Sequence, residues 1–170
     1  MSAPSIRRIF APLAGFTILA VCFAATLPLH AQSEESASHY SLQGAWFVNV
    51  SVFDCNTLAP KGKFTSLLMF SRGGTVTETT ANPGFLPGQR SIGIGTWEKA
   101  GHDTYTASDL AFINFSGGPF QAGTQKLTHT ITVIDDGTQW NDQAFVDFYD
   151  ATGAPITAMH ACATATAKRL

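Results

Sequence analysis

From residue 44 onward the chain is written almost entirely in a two-residue alphabet. Trp46, Val48, Val50 and Val52 alternate with Phe47, Asn49, Ser51 and Phe53, which predicts a strand with one apolar face. The runs KFTSLLMF and TVTETT flank Ser71-Arg72-Gly73-Gly74, a hairpin signal between two β-rich segments. SIGIGTWEKA and TYTASDLAFINF flank Gly101-His102-Asp103, and TQKLTHTITVI and TQWNDQAFVDFYD flank Asp135-Asp136-Gly137. A further turn at Ala151-Thr152-Gly153-Ala154 leads into PITAMHACATATAKR. Two glycine-rich stretches, ANPGFLPGQR (81–90) and SGGPFQAG (116–123), read as loops. The pattern predicts eight strands and no long helix.

Eight strands joined by short connections predict an antiparallel meander that closes into an up-and-down barrel, since closure removes both sheet edges. The fold class expected is therefore all-β, with an open or sandwiched sheet as the alternative. Such a barrel is either filled by side chains or holds one small ligand.

The first residues follow a different rule. Arg7 and Arg8 precede an apolar run from Ile9 to Leu29, and Pro28-Leu29-His30-Ala31 ends it on a small residue. This is the order of a secretory signal peptide over 1–31, cleaved after Ala31. Alternatives are an uncleaved anchor, since about 20 apolar residues span a bilayer, and lipidation at Cys22. QSEESAS reads as a flexible leader over 32–39, ahead of a single barrel domain over 40–170. The expected location is exported, periplasmic or secreted, with no transmembrane segment once the signal is removed.

Cleavage leaves 139 residues, with eight basic and 12 acidic side chains. A net charge of −4 without a basic patch argues against nucleic acid as a partner. Cys55 and Cys162 are then the two remaining cysteines, and in an exported chain they read as one disulfide. Cys55 falls at the end of the first strand and Cys162 in the last. These strands are neighbours only if the sheet closes, so the bond would staple the closing seam. The cysteines are not spaced as a metal site, and neither a metal nor a cofactor is expected.

Gly44-Ala45-Trp46 opens the first strand and Lys168-Arg169 ends the last. In this the chain resembles the lipocalin-type (calycin) barrels. Their first strand opens Gly-x-Trp and their last returns a basic residue across the Trp ring. The resemblance implies that Trp46 plugs one end, that Arg169 (or Lys168) stacks on it, and that a small hydrophobic ligand is bound. The chain departs from central lipocalins at IDDGTQW and carries no helix after its last strand. It also resembles a set of exported bacterial proteins that share the run LLMFSRGGTVTETTANPGFLPGQRSIGIGTWEKAG; that likeness brings no activity with it. Trp97, in a second Gly-x-Trp, has no such partner and reads as an ordinary strand aromatic.

Candidate chemistry is sparse. His129 shares an apolar face with Leu127, Ile131 and Val133, where burial would make its pKa sensitive to neighbours. It reads as a ligand donor or as a hydrogen-bonded barrel histidine. His102 with Asp103 reads as a solvated turn pair, and His160 as a structural residue near the seam. Glu78, Glu98, Asp109, Asp142 and Asp147 are scattered, with no spacing that predicts a dyad, and no catalytic motif is present. The interior positions expected are Val48, Val50, Phe112, His129 and Ile131, with Phe85, Leu86 and Phe120 at a loop portal. The expected function is binding of a small apolar or amphipathic molecule. A barrel cyclase or isomerase and a filled structural barrel are the alternatives. A cavity of roughly 300 Å3 or more would favour binding or catalysis, and a strongly perturbed histidine or carboxylate inside it would favour an enzyme.

Overall fold

The computed structural model describes residues 41–114 and 122–170. The expected signal peptide, the leader, Cys22 and Phe120 lie outside the described residues. Eight strands form: β1 (Gly44–Phe53), β2 (Pro60–Ser71), β3 (Thr75–Thr80), β4 (Gly93–Lys99), β5 (Thr104–Asn114), β6 (Ala122–Ile134), β7 (Gln139–Tyr149) and β8 (Ala161–Arg169). Each pairs antiparallel with the next, and β1 pairs with β8, so the sheet is a closed up-and-down barrel. The only helical pieces among the described residues are 3-10 turns at Asp135–Gly137 and Thr157–Met159. No helix of the described residues is long and apolar enough to cross a membrane.

The alternation of β1 turns Trp46 and Val48 inward, with Val50 half-buried on the same face. On β8 the same period turns Ala161, Ala163, Ala165 and Ala167 inward and the threonines between them outward. The expected last strand began at Pro155. Instead residues 155–160 make one bridge, Tyr149 to Pro155, and a 3-10 turn before β8 begins. Proline has no N–H for a ladder, which is why it sits at the margin.

One expected interior residue faces the wrong way. Phe112 is 59% exposed on the outer surface. β5 reads apolar on both faces around Leu110–Ile113, and its inward parity belongs to Tyr105, Ala107, Asp109, Ala111 and Ile113. A one-residue change of parity moves a side chain to the other face, and the buried Asp109 hides the true parity from a hydropathy reading.

Cys55 and Cys162 are bonded, with Cα atoms 5.1 Å apart and 107 residues between them in sequence. Phe53 is the register partner of Cys162, so Cys55 lies in the turn just beyond β1. A loop this long is worth roughly 4–5 kcal/mol in the chain-entropy account.

Candidate functional site

The barrel has two unlike ends. At one, tight turns join β2 to β3, β4 to β5 and β6 to β7. Here Trp46 and Trp140 are fully buried, with ring centroids 6.0 Å apart. Trp46 donates its indole N–H to the Leu42 carbonyl at 2.9 Å. The Arg169 guanidinium carbon sits 4.2 Å over the Trp46 ring, a cation–π contact worth about 0.5–2 kcal/mol. Arg169 also donates to the carbonyls of Gly137, Gln43 and Ser41. Lys168 pairs with Phe47 on the outer face. The glycine of Gly44-Ala45-Trp46 is explained by the same contact. Its φ is +126°, and a Cβ there would lie 2.7 Å from Arg169 Nη1, so a side chain is excluded both by backbone and by space. Trp97, half-buried, donates to Ser71 O and packs edge-on against Phe70.

The other end carries the longer connections, and a cavity of about 110 Å3 lies beneath them. Small residues make this room. Ala161, Ala163 and Ala165 of β8, Ala144 of β7 and Val48 and Val50 of β1 form an apolar wall. The facing wall is polar: Glu78 of β3, Arg90 of the β3–β4 loop, Gln125 and His129 of β6, and Asp142 of β7. Trp140 lines the side toward the closed end, and Phe85 lines the loop side.

Of the expected interior residues, Val48, Val50 and His129 line the cavity. Ile131 is buried but belongs to the packed core of the closed end. Phe85 reaches the cavity, whereas Leu86 is 69% exposed over a separate surface cleft formed by the same loop.

The polar wall is two linked sets of side chains. Arg90 donates to Glu78 Oε2 at 2.5 Å and to Gln125 Oε1 at 2.6 Å, and Ser66 donates to Glu78 Oε1 at 3.1 Å. The side chains of Arg90 and Glu78 are 4% and 5% exposed. Pairing with hydrogen bonds is the condition under which such charges are tolerated inside a protein.

The second set centres on His129. Its Nδ1 lies 2.6 Å from Asp142 Oδ2 and its Nε2 3.3 Å from Asp109 Oδ1. The register explains the arrangement. His129 is directly opposite Ala107 on β5 and Ala144 on β7. Asp109 follows Ala107 by two residues on β5 and Asp142 precedes Ala144 by two on β7, both on the same face and on either side of the histidine along the strands. Diagonal partners in a sheet are within reach of long side chains, and the two alanines leave the ring room between them. Asp142 Oδ1 also accepts from the Thr130 N–H at 3.1 Å. Burial alone would lower the His129 pKa. Hydrogen bonds to Asp109 and Asp142, with the charges on both, outweigh it and push the value up to about 10. Both ring N–H groups are thus committed to carboxylates, and the imidazolium is the stable form at neutral pH.

Asp109 Oδ2 is buried with no hydrogen-bond partner among the described residues. It lies against Gly93, where a Cβ would collide with it, so β4 must present bare backbone at this point.

Sequence reasoning missed the Asp109–His129–Asp142 set and the Arg90–Glu78 pair. The available signal was the parity of Asp109 and Asp142 within otherwise apolar inward faces. Among the described residues the one grouping with metal-ligand proximity is Cys55, His160 and Cys162, and there the two sulfurs are bonded to each other.

Compared with known proteins, the chain matches no family model, no curated protein and no solved structure.

Proposed function

We propose that this chain is an exported, lipocalin-like binding module for a small amphipathic molecule. The observation that carries the reading is the division of the cavity into two walls, one of alanine and valine and one of Arg90, Gln125 and His129. A ligand with an apolar body and one polar group matches that division, and pockets of this make-up are the usual small-molecule sites. At about 110 Å3 the cavity falls short of roughly 300 Å3, the lower end for drug-sized ligands. It is nearer the size of an engineered 150 Å3 cavity that takes benzene. The enclosed part is therefore a single ring or a short alkyl segment, and the rest of the molecule emerges past Phe85. The bonded cysteines and the apolar segment ahead of the barrel support export.

Native mass spectrometry of the protein purified from its own host tests this. A bound species on the wild type, lost in Ala163→Leu, which fills the apolar wall, is the expected result. Repeated preparations without any bound species overturn it.

A second reading, proton-transfer catalysis, is favoured by the shifted pKa of His129 in the cavity wall. It is the weaker of the two, because the ring has no uncommitted donor to offer a substrate.

A further inference from the structure

The seam disulfide does not stand alone. His160 places Nε2 3.2 Å from Cys55 Sγ, and its other nitrogen, Nδ1, lies 2.7 Å from Asp147 Oδ1. A carboxylate oxygen accepts, so His160 Nδ1–H donates to Asp147 and Nε2 is turned to the sulfur. A carboxylate that sets the tautomer and direction of an imidazole, with the imidazole facing a sulfur, is the general arrangement of an activated thiol. The elements hold it rigidly. Asp147 is on β7, His160 immediately precedes β8, and His160 stacks on Phe145 with ring centroids 6.1 Å apart and planes 15° from parallel.

The dyad is partly exposed beside the half-buried disulfide. The side chains of His160 and Asp147 are 41% and 37% exposed, and a cleft of about 260 Å3 lined by Asp147, Ile156, Thr157 and His160 opens beside them. A disulfide whose only task was to close the barrel would have no use for a polar dyad at an open cleft.

We propose that the Cys55–Cys162 disulfide is redox-active toward external thiols, with His160 as the catalytic proton donor to Cys55 and Asp147 as its positioning residue. A thiolate RS⁻ attacks Cys162 Sγ. The new R–S–S–Cys162 bond forms as the Cys55–Cys162 bond breaks. Cys55 leaves with the electron pair and takes the Nε2 proton of the imidazolium form of His160, which keeps its Nδ1–H on Asp147 and is reprotonated by the proton released when the attacking thiol ionised. A second thiol attacks the mixed disulfide, releasing RSSR and leaving Cys162 reduced. Two thiols are oxidised and one disulfide is reduced, and the reverse run oxidises the dithiol with a small disulfide as oxidant. His160 contributes because exchange quickens as the leaving thiol becomes a better leaving group.

Other charged groups face this histidine. Lys61 on β2 donates to the His160 carbonyl at 3.4 Å and pairs with Asp54 in the β1–β2 turn at 3.2 Å. Asp147 is the carboxylate in direct contact with the ring.

The experiment is the rate of reduction of the full chain by glutathione, followed by mass after alkylation, for wild type, His160→Gln and Asp147→Asn. Far-UV circular dichroism first checks that all three are folded. His160→Gln is expected to slow reduction about ten-fold where His160 is protonated, with a smaller loss in Asp147→Asn. After correction for glutathione ionisation, the wild-type rate is expected to fall with rising pH and the His160→Gln rate to stay flat. In the reduced wild type, Cys55 is alkylated at a lower pH than Cys162. Wild-type rates and wild-type pH profiles in both variants overturn the proposal. So does equal alkylation of the two cysteines across pH. Loss of ligand binding in the barrel leaves this result untouched, since the cavity and the cleft have only Phe148 in common and no variant alters it.

Discussion

The two ends of the barrel are built from the same alternating strands and reach opposite outcomes. At the turn end the inward positions carry Trp46, Trp140, Phe70, Ile131 and Val133, and they fill the interior. At the loop end the inward positions of β8 are Ala161, Ala163 and Ala165, those of β7 are Ala144, Val146 and Phe148, and a cavity remains beside the alanines. At the closed end Trp46 donates to Leu42 O and Arg169 to three carbonyls, while the buried Trp140 N–H has no hydrogen-bond partner among the described residues. Around the cavity lie buried carboxylates, a guanidinium and an imidazolium. Large apolar side chains give stability by area removed from water. Small ones leave space, and in that space charged groups are tolerated when they satisfy one another. Packing thus fills the interior at one end and leaves a lined cavity at the other.

That contrast can be broken in order of effect. Trp46→Ala removes the plug at the closed end. It is expected to cost about 3–5 kcal/mol in denaturant unfolding while leaving the residues of the cavity in place. A loss below about 1 kcal/mol would mean that the closed end is not the stable half. Asp142→Ala strips His129 of its shorter hydrogen bond and leaves a buried cation half-paired. About 3 kcal/mol of destabilisation is expected, read in the same unfolding experiment. His129→Gln should lose at least as much, because it removes the cation that two buried carboxylates, Asp109 and Asp142, share.

The pH dependence follows from His129. Its folded pKa of about 10 lies above the ordinary value near 6.5, so between these values the folded state binds the extra proton. The stabilisation is complete below about pH 6.5 and is lost as pH rises through about 10. Thermal melts should therefore fall progressively from pH 7 to pH 10.5, by about a few kcal/mol in all, and His129→Gln should flatten this slope. Equal slopes would show that His129 does not hold its proton between the two carboxylates. The smallest effect on stability is expected at the mouth. Phe85→Ala should cost about 1 kcal/mol or less, since the ring is only half-buried. It should speed release of any bound species, measured by displacement. A large stability loss there would move Phe85 from the portal into the core.

Much of the architecture was legible. Alternation in GAWFVNVSVF and ACATATAKR, with the turns between, predicts the strands, and the two cysteines together with Trp46 and Arg169 predict which strands meet at the seam. The site was legible only in part. His129 stands out as a histidine on an apolar face, yet nothing in its neighbours along the chain announces two carboxylates. Asp109 and Asp142 are 20 and 13 residues away from it in sequence and become its partners through strand register. Phe112 misled because β5 is apolar on both faces, and the residue that decides its parity, Asp109, is a carboxylate where an apolar side chain is expected.

What the sequence determined by itself was the set of short-range choices: period two, turn chemistry, strand number and the placing of Gly44-Ala45-Trp46 at the start of the first strand. These depend on backbone sterics and on neighbours a few residues apart. Only the tertiary structure decided which diagonal neighbours face each other, how large the cavity is, and that His160 turns one nitrogen to Asp147 and the other to Cys55. The reason is physical. Alternation sets the faces of a strand relative to one another, but contacts across strands depend on register and closure, which the whole sheet settles at once.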